Sequence, residues 1–563
     1  MDLILTGSEI WQIAAVKLLF YLFIGLGILF YFKIKKPTVF ISLIAGFLGA
    51  TYLALIYGSQ LTWWGLQGDE IFVTAFLQKM AAGQFFSDFF YSSLPPFYHP
   101  LYFWLVGLLA FLFKLNGISA AQLGVTLVLI LLPFIVYVWQ KTHWQTKLAE
   151  WQIVLNSALI FVVADWTAII LKPYEFLSAV LVVFWTAFLL TDLENKKIDL
   201  GKVIFYGFTG GLLFMTYYFW FLPVAIALTV FKLFSKVNTK RYFSVLTIVG
   251  ILAIIVSSPF LLPLIASYIS FGSENWSQAY FIPEFLDLYL PFFEFSIFGL
   301  VSLVGLLTMI FYWSKPFIKS LATIFGAMYL WQFINLLTII FWQVTFLPAK
   351  PFLFLGGAVL TISAAYGIGF FINEKIKSEK IRIGLFILGW LVLANQLLGG
   401  SFVDQPDTQK QLVTMKQPLR GEFVNLINNL KDVENIQDLT ILSSGIPQIS
   451  AYLPLDFYIS YNIHFSHPAA NFSERHLFIS ELASSVDSDS FYQKLINSPI
   501  DKVDALLFFK AEEYYPVIFG IDNYPSGVSE EEIKISKNLI NEQYFVTVFE
   551  DEHFVFFKIK EPR

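Results

Sequence analysis

Residues 93–117 read SLPPFYHPLYFWLVGLLAFLFKLNG. The apolar run inside this stretch, Leu101–Phe113, is bounded by Pro100 and Lys114. A helix that crosses a bilayer needs about 20 apolar residues, and this run has about 13, so it reads as a helix lying along the membrane interface. The following run, Ala120–Trp139, is long enough to cross. Whether Leu101–Phe113 crosses decides on which side of the membrane every later loop falls.

Outward from this stretch, the rest of the chain supplies the membrane. Of 563 residues, 57% are hydrophobic and 14% charged, and mean hydropathy is +0.68. Soluble chains carry about 25% charge, so much of this surface faces something other than water. Trp11–Phe32, Ile153–Leu171, Val245–Ile265 and Ile381–Leu398 each approach or reach span length. No small-residue cleavage site follows the first run, and a second span does, which separates it from a signal peptide. The absence of cysteine excludes disulfides and thiolate metal sites. Charge changes near Gly399-Gly400-Ser401. Residues 401–563 hold 24 Asp+Glu against 13 Lys+Arg, and residues 1–400 hold 17 against 23. The expected fold is mainly α, a polytopic transmembrane domain over 1–400 followed by a small soluble α/β domain over 401–563.

Basic clusters mark cytoplasmic span ends. They occur at Lys33/Lys35/Lys36, Lys141/Lys147, Lys196/Lys197/Lys202, Lys232/Lys236/Lys240/Arg241, Lys315/Lys319 and Lys375/Lys377/Lys380/Arg382. Placing all of them inside puts the 59–118 loop and the C-terminal domain outside, with about 12 spans. The location expected from this is a bacterial plasma membrane, with the C-terminal domain extracytoplasmic.

The 59–118 loop carries the acids. Asp69 and Glu70 adjoin at the membrane face, where partial loss of water raises a carboxylate's basicity, as a general base needs. The same pair offers oxygen ligands to a divalent cation such as Mg, Mn or Ca. Alternatively, the two acids cap the following helix, Ile71–Ala82, whose apolar spacing suits an interfacial amphipathic helix.

Residues 68–107, GDEIFVTAFLQKMAAGQFFSDFFYSSLPPFYHPLYFWLVG, resemble the first exterior loop of GT-C glycosyltransferases, most closely that of the actinobacterial galactan arabinofuranosyltransferases. Ala451–Pro454, Tyr461–Pro468 and Phe472–Arg475 resemble the soluble domain of the same enzymes. Lys79 departs from the pattern, standing where Arg is expected. The resemblance implies a GT-C-type catalytic domain that transfers a sugar from a polyprenyl-phosphate donor to a cell-envelope polysaccharide acceptor. That sugar is expected to be arabinofuranose or a similar pentose. It further implies Asp69 as the base and an inverting single displacement, with Glu70 orienting Asp69 or holding a cation.

Other polar residues fall at exterior span ends. Lys172-Pro173-Tyr174-Glu175 sits where Pro173 breaks the helix, and it reads either as a substrate-binding turn or as charges snorkelling beside the headgroups. Asp165, earlier in the same run, is placed to line a cavity or to pair inside the bundle. Lys350 runs against the positive-inside pattern and suits a lipid-linked phosphate. Tyr217 and Tyr218 offer hydroxyls to sugar or lipid, or anchor an aromatic belt. His99 is close enough in the loop to approach Asp69. His464 and His467, on the soluble domain, lack a third zinc ligand and suit acceptor binding or loop packing. Asn275-Trp276-Ser277 and Asn471-Phe472-Ser473 match the glycosylation pattern by chance.

In the soluble domain, Leu439–Leu442, Asp504–Phe509, Tyr544–Phe549 and Phe554–Ile559 read as strands. Glu422–Leu430, Phe478–Ser485, Ser490–Ile496 and Glu530–Asn538 read as helices. No Gly-rich phosphate loop is present, and nothing suggests nucleic acid. A flippase or transporter would show repeats and mid-membrane polar groups, neither of which is visible. That reading stays as one alternative, and a non-catalytic polysaccharide-assembly scaffold is the other.

Overall fold

The computed structural model describes residues 5–143, 150–194, 198–274, 286–523 and 527–560. Lys147, Lys196, Lys197 and the Asn275 triplet lie outside the described residues. The first 400 residues form α1 (Gly7–Lys33), α2 (Pro37–Leu55), α3 (Asp69–Ala81), α4 (Pro100–Phe113), α5 (Gly117–His143), α6 (Glu150–Leu159), α7 (Trp166–Leu171), α8 (Pro173–Glu194), α9 (Leu200–Thr216), α10 (Phe221–Phe234), α11 (Thr239–Phe271), α12 (Ile297–Phe311), α13 (Pro316–Trp342), α14 (Gly357–Lys375) and α15 (Glu379–Gln396). Among the described residues, seven helices are long and apolar enough to cross a membrane: α1, α2, α5, α8, α11, α13 and the Phe352–Lys375 helix that contains α14. Four shorter apolar helices accompany them, α4 among them. The chain is a multi-pass membrane protein.

Burial sorts these helices. α8 is enclosed along nearly its whole length, from Tyr174 to Leu193. α1 and α11 instead present Leu18, Tyr21, Ile254, Leu262 and Ile269 outward, as lipid-facing helices do. Close helix pairs use missing side chains: a Cβ on Gly207 would fall 2.4 Å from Leu252, and one on Gly211 2.6 Å from Val256, so α9 and α11 approach as only small residues allow.

Three expectations are corrected. Ile153–Leu171 is not one helix: α6 ends at Leu159, and α7 restarts at Trp166 because the Asp165 carboxylate caps it, accepting from Thr167 N at 2.8 Å. α3 is not a surface-lying amphipath, since Ile71–Leu77, Lys79 and Met80 are all buried. It packs against α4, α5 and the short Pro447–Ala451 turn of the C-terminal domain. The third lies at 530–538, in the C-terminal domain. α4 buries Tyr102, Phe103, Val106 and Ala110 and exposes Leu105, Leu112 and Phe113, so only one of its faces joins the body.

The C-terminal part adds α16 (Pro406–Lys416), α17 (Gly421–Lys431), α18 (Phe472–Ala483) and α19 (Ser488–Ile496). Its strands are β1 (Thr440–Ser443), β2 (Asp456–Phe457), β3 (Ala505–Phe509), β4 (Tyr514–Asn523), β5 (Gly527–Ser536), β6 (Phe545–Glu550) and β7 (Phe554–Ile559). A mixed sheet runs β2-β1-β3-β7-β6, with β1 parallel to β2 and β3, and β7 antiparallel to β3 and β6. β4 and β5 form a separate hairpin. The expected helix at Glu530–Asn538 is therefore strand β5 for most of its length. Ile533 and Ile535 alternate with Glu532 and Lys534, and both isoleucines are buried. That period of two outweighs the helix preference of the glutamates.

Candidate active site

Gly68 turns the chain with φ +54°, a left-handed conformation that suits glycine, and α3 begins at Asp69. Consecutive helical residues diverge by about 100° around the axis. Asp69 and Glu70 therefore face different surroundings. Asp69 lines a cavity of about 760 Å³. Glu70 points back into the preceding turn, where it accepts from the Thr62 hydroxyl at 2.6 Å and Trp64 N at 2.9 Å. Burial pushes the Glu70 carboxyl up to about 7 against those hydrogen bonds.

The cavity gathers polar side chains from several separate segments. Lys172 closes α7 just before Pro173 opens α8, and its ammonium pairs with Asp69 at 2.5 Å. Glu175, in the first turn of α8, is buried and pairs with Lys350 at 2.7 and 3.0 Å through its two oxygens. Lys350 is held by a turn in which Gln343 and Leu347 take positive φ, and Asn335 Oδ1 accepts from Phe346 N at 2.9 Å. A π-helical turn, Phe352–Gly356, follows, and the Lys350 ammonium lies 5.6 Å from the Tyr217 ring centre. His464 enters from the C-terminal domain on a short turn whose start is capped by Asn462 Oδ1, which accepts from His464 N at 2.7 Å. Apolar side chains, among them Ile160, Val163, Phe176, Phe298, Phe352 and Leu353, make up much of the remaining lining.

The electrostatics follow from this packing. Burial raises the Asp69 carboxyl, but the adjoining Lys172 ammonium, helped by Lys350, holds it below its ordinary value. Raised basicity thus falls on Glu70, not on Asp69 as expected from their shared position at the membrane face. Burial lowers the Lys350 ammonium, with Glu175 opposing in part. Burial also pushes the His464 imidazole down to about 4, so it is neutral at physiological pH.

Asp69, Lys172, Glu175, Tyr217, Lys350 and His464 meet in the cavity, and Asp165 lines it too. Glu70, His99, Tyr218 and His467 do not line it. His99 is buried between the rings of Tyr217 and Tyr218, with centroids 4.4 and 4.2 Å away, and neither ring nitrogen has a hydrogen-bond partner among the described residues. The His467 ring is turned inward, accepting from Ala469 N at 2.9 Å and packing on Phe97. The divalent-cation expectation does not fit the donor set. The two carboxylates point apart, each already engaged, and no group of three or more His, Asp or Glu side chains placed to hold a metal occurs among the described residues. Sequence reasoning missed Tyr98, whose hydroxyl hydrogen-bonds Tyr174 at 2.9 Å, and the wall residues Asp287 and Glu294. Tyr98 stood inside the quoted Pro-aromatic stretch. The two acids carry no spacing signal.

Residues 11–362 match the family model described as arabinofuranosyltransferase, N-terminal. The galactan 5-O-arabinofuranosyltransferase of Mycobacterium leprae is 25% identical over 320 residues, covering 52% of this chain and 48% of the relative. The enzyme of the same name from Corynebacterium glutamicum is 22% identical over 488 residues, covering 79% and 70%. The chain thus spans about half the length of the mycobacterial relatives it matches. The crystal structure of ArnT from Cupriavidus metallidurans bound to undecaprenyl phosphate superposes with a TM-score of 0.48 at 12% identity, over 92% of this chain and 97% of that one.

Proposed function

The chain belongs to the arabinofuranosyltransferase N-terminal family, and from that membership we propose that it transfers a pentofuranose from a polyprenyl-phosphate donor to a cell-envelope polysaccharide. The observation that carries this reading is one cavity that joins Asp69, Lys172 and Lys350 to an apolar wall. A lipid-linked sugar phosphate needs that combination: cations for the phosphate and hydrocarbon for the prenyl chain.

In the reaction, an acceptor hydroxyl oxygen attacks the anomeric carbon. Its proton passes to the Asp69 carboxylate, and the bond from the anomeric carbon to the phosphate oxygen breaks. The leaving polyprenyl phosphate keeps the electron pair, and Lys350 offsets its charge. The resting ion pairs give the donor a further part. An arriving phosphate competes for Lys172, and a carboxylate that loses its cation becomes more basic. Asp69 is thus ionised at rest and gains basicity once the donor is seated. A single displacement inverts the anomeric centre. Tyr217 and Glu175 shape the donor site through Lys350, and His464 faces the acceptor. We place the reaction on the exterior face of a bacterial plasma membrane, with the C-terminal domain extracytoplasmic.

The test is transfer from a panel of lipid-linked sugars in membranes carrying the wild-type chain or Asp69→Asn. Loss of transfer at unchanged protein level supports the assignment; retained transfer overturns it.

A further inference from the structure

Residues 456–466 of the C-terminal domain lie along residues 79–91, and the seam is pinned by buried polar groups. Lys79, in the last turn of α3, is ion-paired with Asp456 at the start of β2, with side chains only 1% and 3% exposed. Phe457 N donates to Phe90 O at 2.8 Å. The buried Tyr91 hydroxyl accepts from Ser460 N at 2.9 Å and shares a hydrogen bond with the Ser466 hydroxyl at 2.8 Å. Tyr91 is itself fixed: Asp88 Oδ1 accepts from Phe90 N at 2.9 Å and Tyr91 N at 3.2 Å, and the Arg475 guanidinium lies 5.1 Å from the Tyr91 ring centre. These attachments fall at 456, 457, 460 and 466, on both sides of His464. None of Lys79, Tyr91, Asp456, Ser460 or Ser466 lines the cavity.

A domain that swung away to collect its acceptor would break this ion pair and these hydrogen bonds, and re-form them, on every cycle. We propose that Tyr91 and the Lys79–Asp456 pair are positioning residues that hold His464 in the cavity with Asp69, making the C-terminal domain a fixed wall of the reaction chamber. This rests on the transfer reading above. Tyr91 acts through His464, so its removal and that of His464 are one loss, not two.

The experiment is a double-mutant cycle on the full chain in membranes, with Tyr91→Phe, His464→Ala and the double variant. Each single change is expected to lower acceptor kcat/KM by about tenfold or more, with donor KM unchanged, and the double variant to fall no further than His464→Ala alone. Losses that multiply, or a His464→Ala variant as active as wild type, overturn the proposal. Hydrogen exchange supplies a readout independent of transfer: Tyr91→Phe should speed exchange at the amides of 457–466, and unchanged protection there also overturns it. If Tyr91→Phe does not accumulate, Ser466→Ala removes a partner of the same hydroxyl and must reproduce the same His464-dependent loss. Retained transfer in Asp69→Asn refutes the catalytic reading, whereas the exchange result judges the seam alone.

Discussion

Helix α3 carries an ion pair at each end, about 15 Å apart at 1.5 Å per residue. At its start, Asp69 and Lys172 are 24% and 26% exposed and open into the cavity. At its end, Lys79 and Asp456 are sealed between the membrane domain and the C-terminal domain. The chemistry is the same and the access differs. A pair that an incoming anion can reach can exchange partners, and its carboxylate can change basicity as it does so. A pair without access can only hold, because either charge left alone inside the protein is costly. The same helix therefore begins on a pair that solutes can reach and ends on one that they cannot.

The largest effect that would break this contrast is at Asp69. Replacing it with Asn should cut transfer by about a thousandfold or more, since proton transfer to a positioned base supplies about that much. Folded protein, measured by yield after solubilisation, should be unchanged. At the other end, Lys79→Met should act on stability, by about 3–5 kcal/mol, because Asp456 is left buried and unpaired. Thermal unfolding in detergent measures this, and adding Asp456→Met should recover most of the loss. If Lys79→Met instead spared stability, the sealed pair would not be a fastening.

A smaller effect sharpens the cavity side. Lys350→Met should lower kcat by about a hundredfold through the lost offset of phosphate charge, read from single-turnover rates with protein level measured alongside. The smallest concerns Asp88, beside the sealed pair, whose carboxyl burial pushes up to about 7. The folded state holds this proton more tightly than the unfolded chain does. Stability from this group is therefore lost as pH rises from about 4 through about 7. Asp88→Asn should raise the Tm at about pH 8, and the gap should close toward about pH 5. Melting curves at the two pH values check the sign.

Much of the charged lining of the cavity was legible because charge at the end of an apolar run is conspicuous. Asp69, Lys172, Glu175 and Lys350 stood out for that reason, and Pro173 announced the turn that separates α7 from α8. Their pairing was not legible: the partners lie 103 and 175 residues apart in sequence, and nothing local links them. Adjacency misled at Glu70, because one helical step carries its carboxylate to Thr62 and Trp64. Spacing misled at His467, which stands three residues after His464 yet packs against Phe97. In the soluble domain, the glutamates of 530–532 masked a strand that Ile533 and Ile535 spelled out.

The sequence by itself determined that this chain lives in a membrane, where its acids and bases stand along the chain, and which family it resembles. These follow from composition and local order, which the solvent reads residue by residue. Tertiary structure alone decided that Leu101–Phe113 buries one face as α4 and leaves the other bare, that Asp69 and Glu70 part company, and that a histidine nearly 400 residues from Asp69 shares its cavity. Those outcomes depend on which distant surfaces exclude water together, and no local run of residues carries that information.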